Sequence, residues 1–120
     1  MPSIHSAVAR QYAALPGVTI FAMDGAPKRG EPQRVLVSIE AGKDIPLHTH
    51  AVDAEMFIVS GTGVVLSRDS SNGRVVQMGD VVLFERDAPH GFRAGPEGLT
   101  FVSANGGIVD ADDDWDISFS

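Results

Sequence analysis

The chain has 120 residues, 43% hydrophobic and 21% charged, enough to build one buried core but not two. Nine Lys and Arg against 16 Asp and Glu give a net charge of -7, which works against a phosphate-backbone partner or an anionic membrane surface. There is no cysteine, so disulfides, thiolate metal sites and cysteine nucleophiles are excluded, and any chemistry falls to histidine, carboxylates or hydroxyls.

No apolar run approaches the roughly 18 to 20 residues of a membrane span. The first residues, Met1 to Ser6, have neither the charged nor the apolar region of a secretory signal, so a cytoplasmic protein is expected.

From the N-terminus, Ile4, Val8, Tyr12 and Leu15 recur at spacings of four, four and three before Pro16-Gly17. That pattern suits either a short helix or an extended arm packed on the body of the protein or on a second subunit. Beyond it come nine short runs rich in Val, Ile, Phe and Thr, at 18–23, 34–39, 45–49, 56–59, 64–67, 74–77, 81–84, 90–93 and 99–102. These composition and spacing signals predict an all-β sandwich or barrel. Glycine and proline, 13 and 7 residues, fall mostly between the runs. Gly61-Thr62-Gly63 reads as a bend or bulge within a strand, and Asn72-Gly73 as the tight turn of a hairpin. Near the C-terminus, Asp110, Asp112, Asp113, Asp114 and Asp116 form an acidic cluster. The expected organisation is a single domain over 1–120, with an N-terminal arm at 1–17, a barrel over about 18–108 and an acidic segment at 109–120.

Only four histidines occur, and two of them form His48-Thr49-His50, with a third at His90. Residues two apart on a strand share a face, so His48 and His50 present side by side the two imidazoles that chelation of one ion requires. Glu55 lies five residues beyond His50, on the opposite face if the strand simply continued. A turn within 51–54 is therefore expected, with Glu55 facing inward at the start of the next strand. His90 would join from a distant strand. Histidine is also a common surface or core residue, which is the plainer reading for His5; the pair alone leaves both readings open, and Glu55 and His90 add to the metal reading.

At this point the sequence resembles the cupin superfamily of small β-barrels. The first cupin motif is Gly, five residues, His-x-His, three or four residues, Glu, then about six residues to a Gly. Here it matches Gly42, His48, His50 and Glu55, with Gly61 arriving after five residues; the longer gap between His50 and Glu55 offsets the missing one. The second motif is looser: Gly79-Asp80 opens it, 81–84 forms its strand and Pro89-His90 brings the last ligand. Glu85-Arg86-Asp87 replaces the family's Pro-x-Gly turn, and Ala94 stands where an Asn is expected. The resemblance covers roughly 42–94 and implies a single jelly-roll-like cupin β-barrel.

It also implies that His48, His50, Glu55 and His90 bind one divalent transition metal, with Fe, Mn, Ni, Co and Zn all compatible. In an octahedral ion two positions would stay open for water, oxygen or a chelating substrate. Cupin isomerases, epimerases and lyases recruit a separate acid or base, and this chain is thinly supplied: Tyr12, Lys28, Lys43 and His5. Counting by twos from Glu55 and His90 puts Phe57 and Phe92 on the metal-facing side, where they would line an apolar pocket or simply fill the core. Arg34 and Arg93 are candidates to orient a substrate carboxylate, and read equally well as exposed strand arginines. The expected function is a mononuclear metal-dependent enzyme acting on a small molecule by dioxygenase-type chemistry. The alternatives are a non-catalytic binding or sensor cupin, or a metal-dependent isomerase or lyase. A homodimer is expected through the N-terminal stretch and 115–119, with neither nucleic acid nor membrane as partner.

Overall fold

The computed structural model describes residues 2, 4, 6–11, 15–23, 33–49, 53–105 and 118–119. They form β1 (Val8–Gln11), β2 (Val18–Ala22), β3 (Gln33–Ile39), β4 (Asp44–Thr49), β5 (Ala54–Ser67), β6 (Val75–Gln77), β7 (Val81–Phe84), β8 (His90–Asn105) and β9 (Ser118–Phe119). Every pairing is antiparallel, and the described residues contain no helix.

At the N-terminus the helical spacing gives way to an extended segment. Val8–Gln11 pairs with β2 in the register Val8↔Ala22 to Gln11↔Thr19. A helix so short, followed by Pro16-Gly17, cannot offset its nucleation cost, whereas the edge of β2 offers a ready ladder.

Two pairs of expected runs fuse into single long strands. Runs 56–59 and 64–67 become β5, of 14 residues, and runs 90–93 and 99–102 become β8, of 16 residues. The glycines between them bend the strands without ending them: the β5–β8 register shifts between Ile58 and Ser60 and again between Gly61 and Gly63. Gly61 and Gly98 both have left-handed backbone, φ 78° and 80°, and lie back to back; a Cβ on Gly61 would overlap the carbonyl of Gly98. The expected hairpin at Asn72-Gly73 is a longer loop between β5 and β6. Gly73 there has φ 84° and donates its N–H to Val65 O (2.7 Å), and Asn72 Oδ1 accepts from Ser67 N–H (3.0 Å).

The bends divide the molecule into two sheets that share β5 and β8. The second half of β8 pairs with β3, extending to β2 and β1, while the first half of β5 adds β7 as an edge. The first half of β8 pairs with β4 and, through it, β9, while the second half of β5 adds β6. Inward residues of both sheets form one cluster that includes Val37, Ile39, Ile45, Met56, Ile58, Val65, Phe92, Leu99 and Phe101. His48 and His90 lie on the wall built by β4 and the start of β8.

Candidate metal centre

Alternation along β4 would not by itself turn His48 inward. Ile45 is buried, so strict period two buries Leu47 and exposes His48, yet the observed pattern buries Ile45 and His48, three apart. A bulge resets the parity: Asp44 faces Arg93 and Ile45 faces Phe92, but the next pair is His48 with His90. Pro46, which has no N–H for the ladder, begins the irregular step, and Gly91 lies opposite it. A Cβ on Gly91 would overlap the carbonyl of Ile45 and approach the Pro46 carbonyl to 2.9 Å, so only glycine lets the bulged strand come this close.

The bulge makes His48 and His90 a directly opposed cross-strand pair, 4% and 1% exposed, with ring centroids 4.4 Å apart and planes tilted by 58°. Each ring is held the same way. His48 Nδ1–H donates to Pro46 O (2.8 Å) and His90 Nδ1–H donates to Ala88 O (2.9 Å), in both cases the carbonyl two residues back. A carbonyl only accepts, so Nδ1 carries the proton and Nε2 the lone pair of a neutral imidazole. Metal-binding histidines are oriented in this way. Burial pushes the pKa of His48 below 6.5, opposed in part by its bond to Pro46, and so favours the neutral ring. Phe84 stacks on His90 at 4.2 Å and 11°, and its edge meets Phe92 at 5.9 Å; Phe92 in turn lies 4.9 Å from Phe101. The loop that delivers His90 departs from Pro-x-Gly but keeps a left-handed residue, Asp87, at φ 63°.

The other expected site residues are not gathered here. Glu55 faces outward: β5 alternates from buried Ala54 through exposed Glu55, buried Met56 and exposed Phe57 to buried Ile58. Glu55 pairs with Leu83 and Ala104, both exposed, and Phe57 with Val81, also exposed. Both were expected to face the interior; on this strand the inward positions are Ala54, Met56 and Ile58 instead. Arg93 is likewise outside, where its Nε and Nη2 donate to the two carboxylate oxygens of Asp44 at 2.9 Å each. Arg34 is exposed on β3 opposite Ala104. Neither arginine faces the histidines. Phe92 is inward and 1% exposed. His50, His5 and the acidic cluster lie outside the described residues. Among the described residues no three His, Asp or Glu side chains are grouped closely enough to hold one ion.

Sequence reasoning missed Pro46, Gly91, Phe84, the Ala88 carbonyl and Ala54. For Ala54 a signal was present: a spacer of six residues before Gly61, the bend glycine, begins after Ala54 and not after Glu55. A cavity of about 710 Å³ opens between the edges of β6 and β7, where Val65, Val82 and Phe84 share the walls with Asp69, Arg74 and Asp80. Its volume suits a small organic molecule. Phe84, which stacks on His90, and Ala88, whose carbonyl accepts from His90, are among its lining residues.

The family model described as "Cupin domain" matches residues 35–104, more than half of the chain. The chain belongs to the cupin family. Solved structures show the same fold for this cupin. The polyketide cyclase RemF from Streptomyces resistomycificus is 19% identical with a TM-score of 0.74, covering 99% of this chain and 84% of its own. The DMSP lyase DddQ from Ruegeria pomeroyi is 19% identical, TM-score 0.71, with 93% of this cupin covered and 56% of the lyase. An oxalate decarboxylase from Lactobacillus farciminis is 20% identical, TM-score 0.71, with 94% of this cupin matching 33% of that chain. Comparison with curated proteins finds no match.

Proposed function

We propose that the protein is a metal-dependent enzyme acting on a small molecule, with one divalent transition metal, Fe, Mn, Ni, Co or Zn, held by His48, His90 and His50. The observation that carries this reading is the matched pair of imidazoles, each with Nδ1–H tied to a main-chain carbonyl and its lone pair on Nε2. The donor set fits such an ion, since neutral imidazoles suit each of these metals. Glu55 is left out of the set because it faces away.

The described interior contains few groups able to move a proton: its buried polar side chains are His48, His90 and Ser103. This supports chemistry done at the metal, and a bound redox-active ion would supply the oxygen activation of dioxygenase-type catalysis. The chain's own part is to hold both rings in one tautomer through the Pro46 and Ala88 carbonyls and to cover His90 with Phe84, whose edge meets the buried Phe92. The fold neighbours named as a cyclase, a lyase and a decarboxylase favour a second reading, in which the ion polarises a substrate oxygen without dioxygen. The functional unit is proposed to be a cytoplasmic homodimer.

Elemental analysis of purified protein is expected to find one metal ion per chain, lost in His48→Ala and in His90→Ala. Unchanged metal in both variants would sink the proposal. Oxygen uptake during turnover of small enol, thiol, diketone or aromatic substrates separates the two reaction classes.

A further inference from the structure

The outer face of the sheet that runs from β7 through β5, β8 and β3 to β2 departs from the polar surface an antiparallel sheet ordinarily turns to water. One row across it is apolar throughout: Val81 pairs with Phe57, Phe57 with Val102, Val102 with Leu36 and Leu36 with Phe21. The row points away from the core, since the chain neighbours Met56, Phe101, Val37 and Ile20 are buried. Val81 and Phe57 are 54% and 46% exposed, and the other three are half-buried. At a strand spacing of about 4.8 Å the row is roughly 19 Å long. The rows on either side are polar, and one is charged in a particular order. There Glu55 of β5 and Arg34 of β3 flank Ala104 of β8, which pairs with both, and all three are exposed. On the other row Thr100 of β8 pairs with Ser60 and Ser38. The face is therefore nearly symmetric about β8 in shape, with Phe57 level with Leu36, and opposite in charge, with Glu55 level with Arg34.

We propose that a second copy of this chain docks on this face, sheet against sheet, about a two-fold axis running along β8. A half-turn about that axis leaves Val102 and Ala104 opposite themselves and lays β5 of each copy over β3 of the other. Phe57 then meets Leu36 of the partner subunit, and Glu55 meets Arg34 of the partner subunit. Each contact is made twice, as an isologous interface requires. Packed sheets lie about 10 Å apart, a gap that a glutamate and an arginine pointing at each other span. The charge order selects this occupant, because an acid and a base placed evenly about β8 make the face complementary to itself. An apolar centre between polar rows is also the usual anatomy of a specific interface. The inference rests on the homodimer reading above and supplies its face, its axis and its paired residues.

The test is analytical ultracentrifugation of the full chain, with wild type expected to be a dimer. Glu55→Arg and Arg34→Glu each set like charges opposite one another at both contacts, and each is expected to weaken self-association about tenfold or more. Mixed together, the two variants are expected to form a heterodimer within about threefold of wild-type affinity, since only in that pair do both contacts join opposite charges. Recovery on mixing has no source within a chain, because each chain carries a single substitution. A monomeric wild type overturns the homodimer reading and this proposal with it. A dimer that both substitutions leave as tight as wild type overturns the proposal alone, as do two weakened variants that fail to associate when mixed. If either variant loses the circular dichroism of the fold, Phe57→Ser decides: a dimer about tenfold weaker is expected, and unchanged affinity overturns the proposal.

Discussion

Pro46 O and Ala88 O each accept a hydrogen bond from an imidazole two residues further along, so two unrelated segments hold their histidines by the same device. The bond fixes the ring rotation and the tautomer at once, which a side-chain partner with its own rotamers would do less rigidly. On the other face of the same strand pair, Arg93 grips Asp44 through two bonds of 2.9 Å. The Arg93 hydrogen bond holds the Asp44 carboxyl below its ordinary 3.8, against a smaller opposing effect of burial. A depressed carboxyl favours folding wherever it is ionised, so this contribution is present above pH 3.8 and is lost as pH falls through the lower folded value. Asp44→Asn should therefore lower the urea midpoint at pH 7, with the difference from wild type shrinking below pH 3.8. A difference that persists unchanged in acid would show that the ion pair is not its source.

At the scale of the element, β4 and β8 owe their pairing to a proline and a glycine. Pro46 interrupts the ladder and Gly91 admits the displaced backbone, and the resulting parity change turns His48 inward. Gly91→Ala would drive a methyl group into the carbonyls of Ile45 and Pro46. Overpacking of this kind costs about 1–3 kcal/mol. The expected outcome is a lower denaturation midpoint together with weakened Co(II) uptake, since the same shift displaces His48 from His90. Uptake equal to wild type in a destabilised variant would separate the bulge from the site. The bends of β5 and β8 do a different job. With Gly61 against Gly98, each strand passes from one sheet to the other, and the register between them shifts on either side of the bend.

In the molecule as a whole, those two strands are the spine shared by both sheets, and β6 and β7 remain as edges that pair only with β5. Beside the β7 edge the outer face carries Phe57, Val81 and Leu83, 46%, 54% and 70% exposed, next to Glu55. An exposed edge strand with apolar side chains is a natural place for a second chain to join. For the proposed homodimer this face is a better-supported contact than the helical reading of the N-terminus, since Val8–Gln11 is spent on β2 of its own chain. Leu83→Lys is expected to convert the dimer to monomer in light scattering while leaving the circular dichroism of the fold unchanged. A dimer that survives the substitution would place the contact elsewhere.

Composition and turn residues by themselves determined much of this protein. The runs at 18–23, 34–39, 45–49, 74–77 and 81–84 each lie at a strand, and the glycine-flanked interruption at 61–63 lies at a bend, because β-branched clusters and glycines act locally. His48 and His90 were legible as candidates from their scarcity and spacing. Which way each residue faces was not. Facing follows from parity, and parity can be counted only within an unbroken strand; one extra residue sends every following side chain to the other face. The bulge at Pro46 brought His48 in, and the phase of β5 puts Ala54 inside and Glu55 outside. Only the pairing of β4 and β5 with a distant β8 decided those two registers, since each was settled by which cross-strand partners could be buried together.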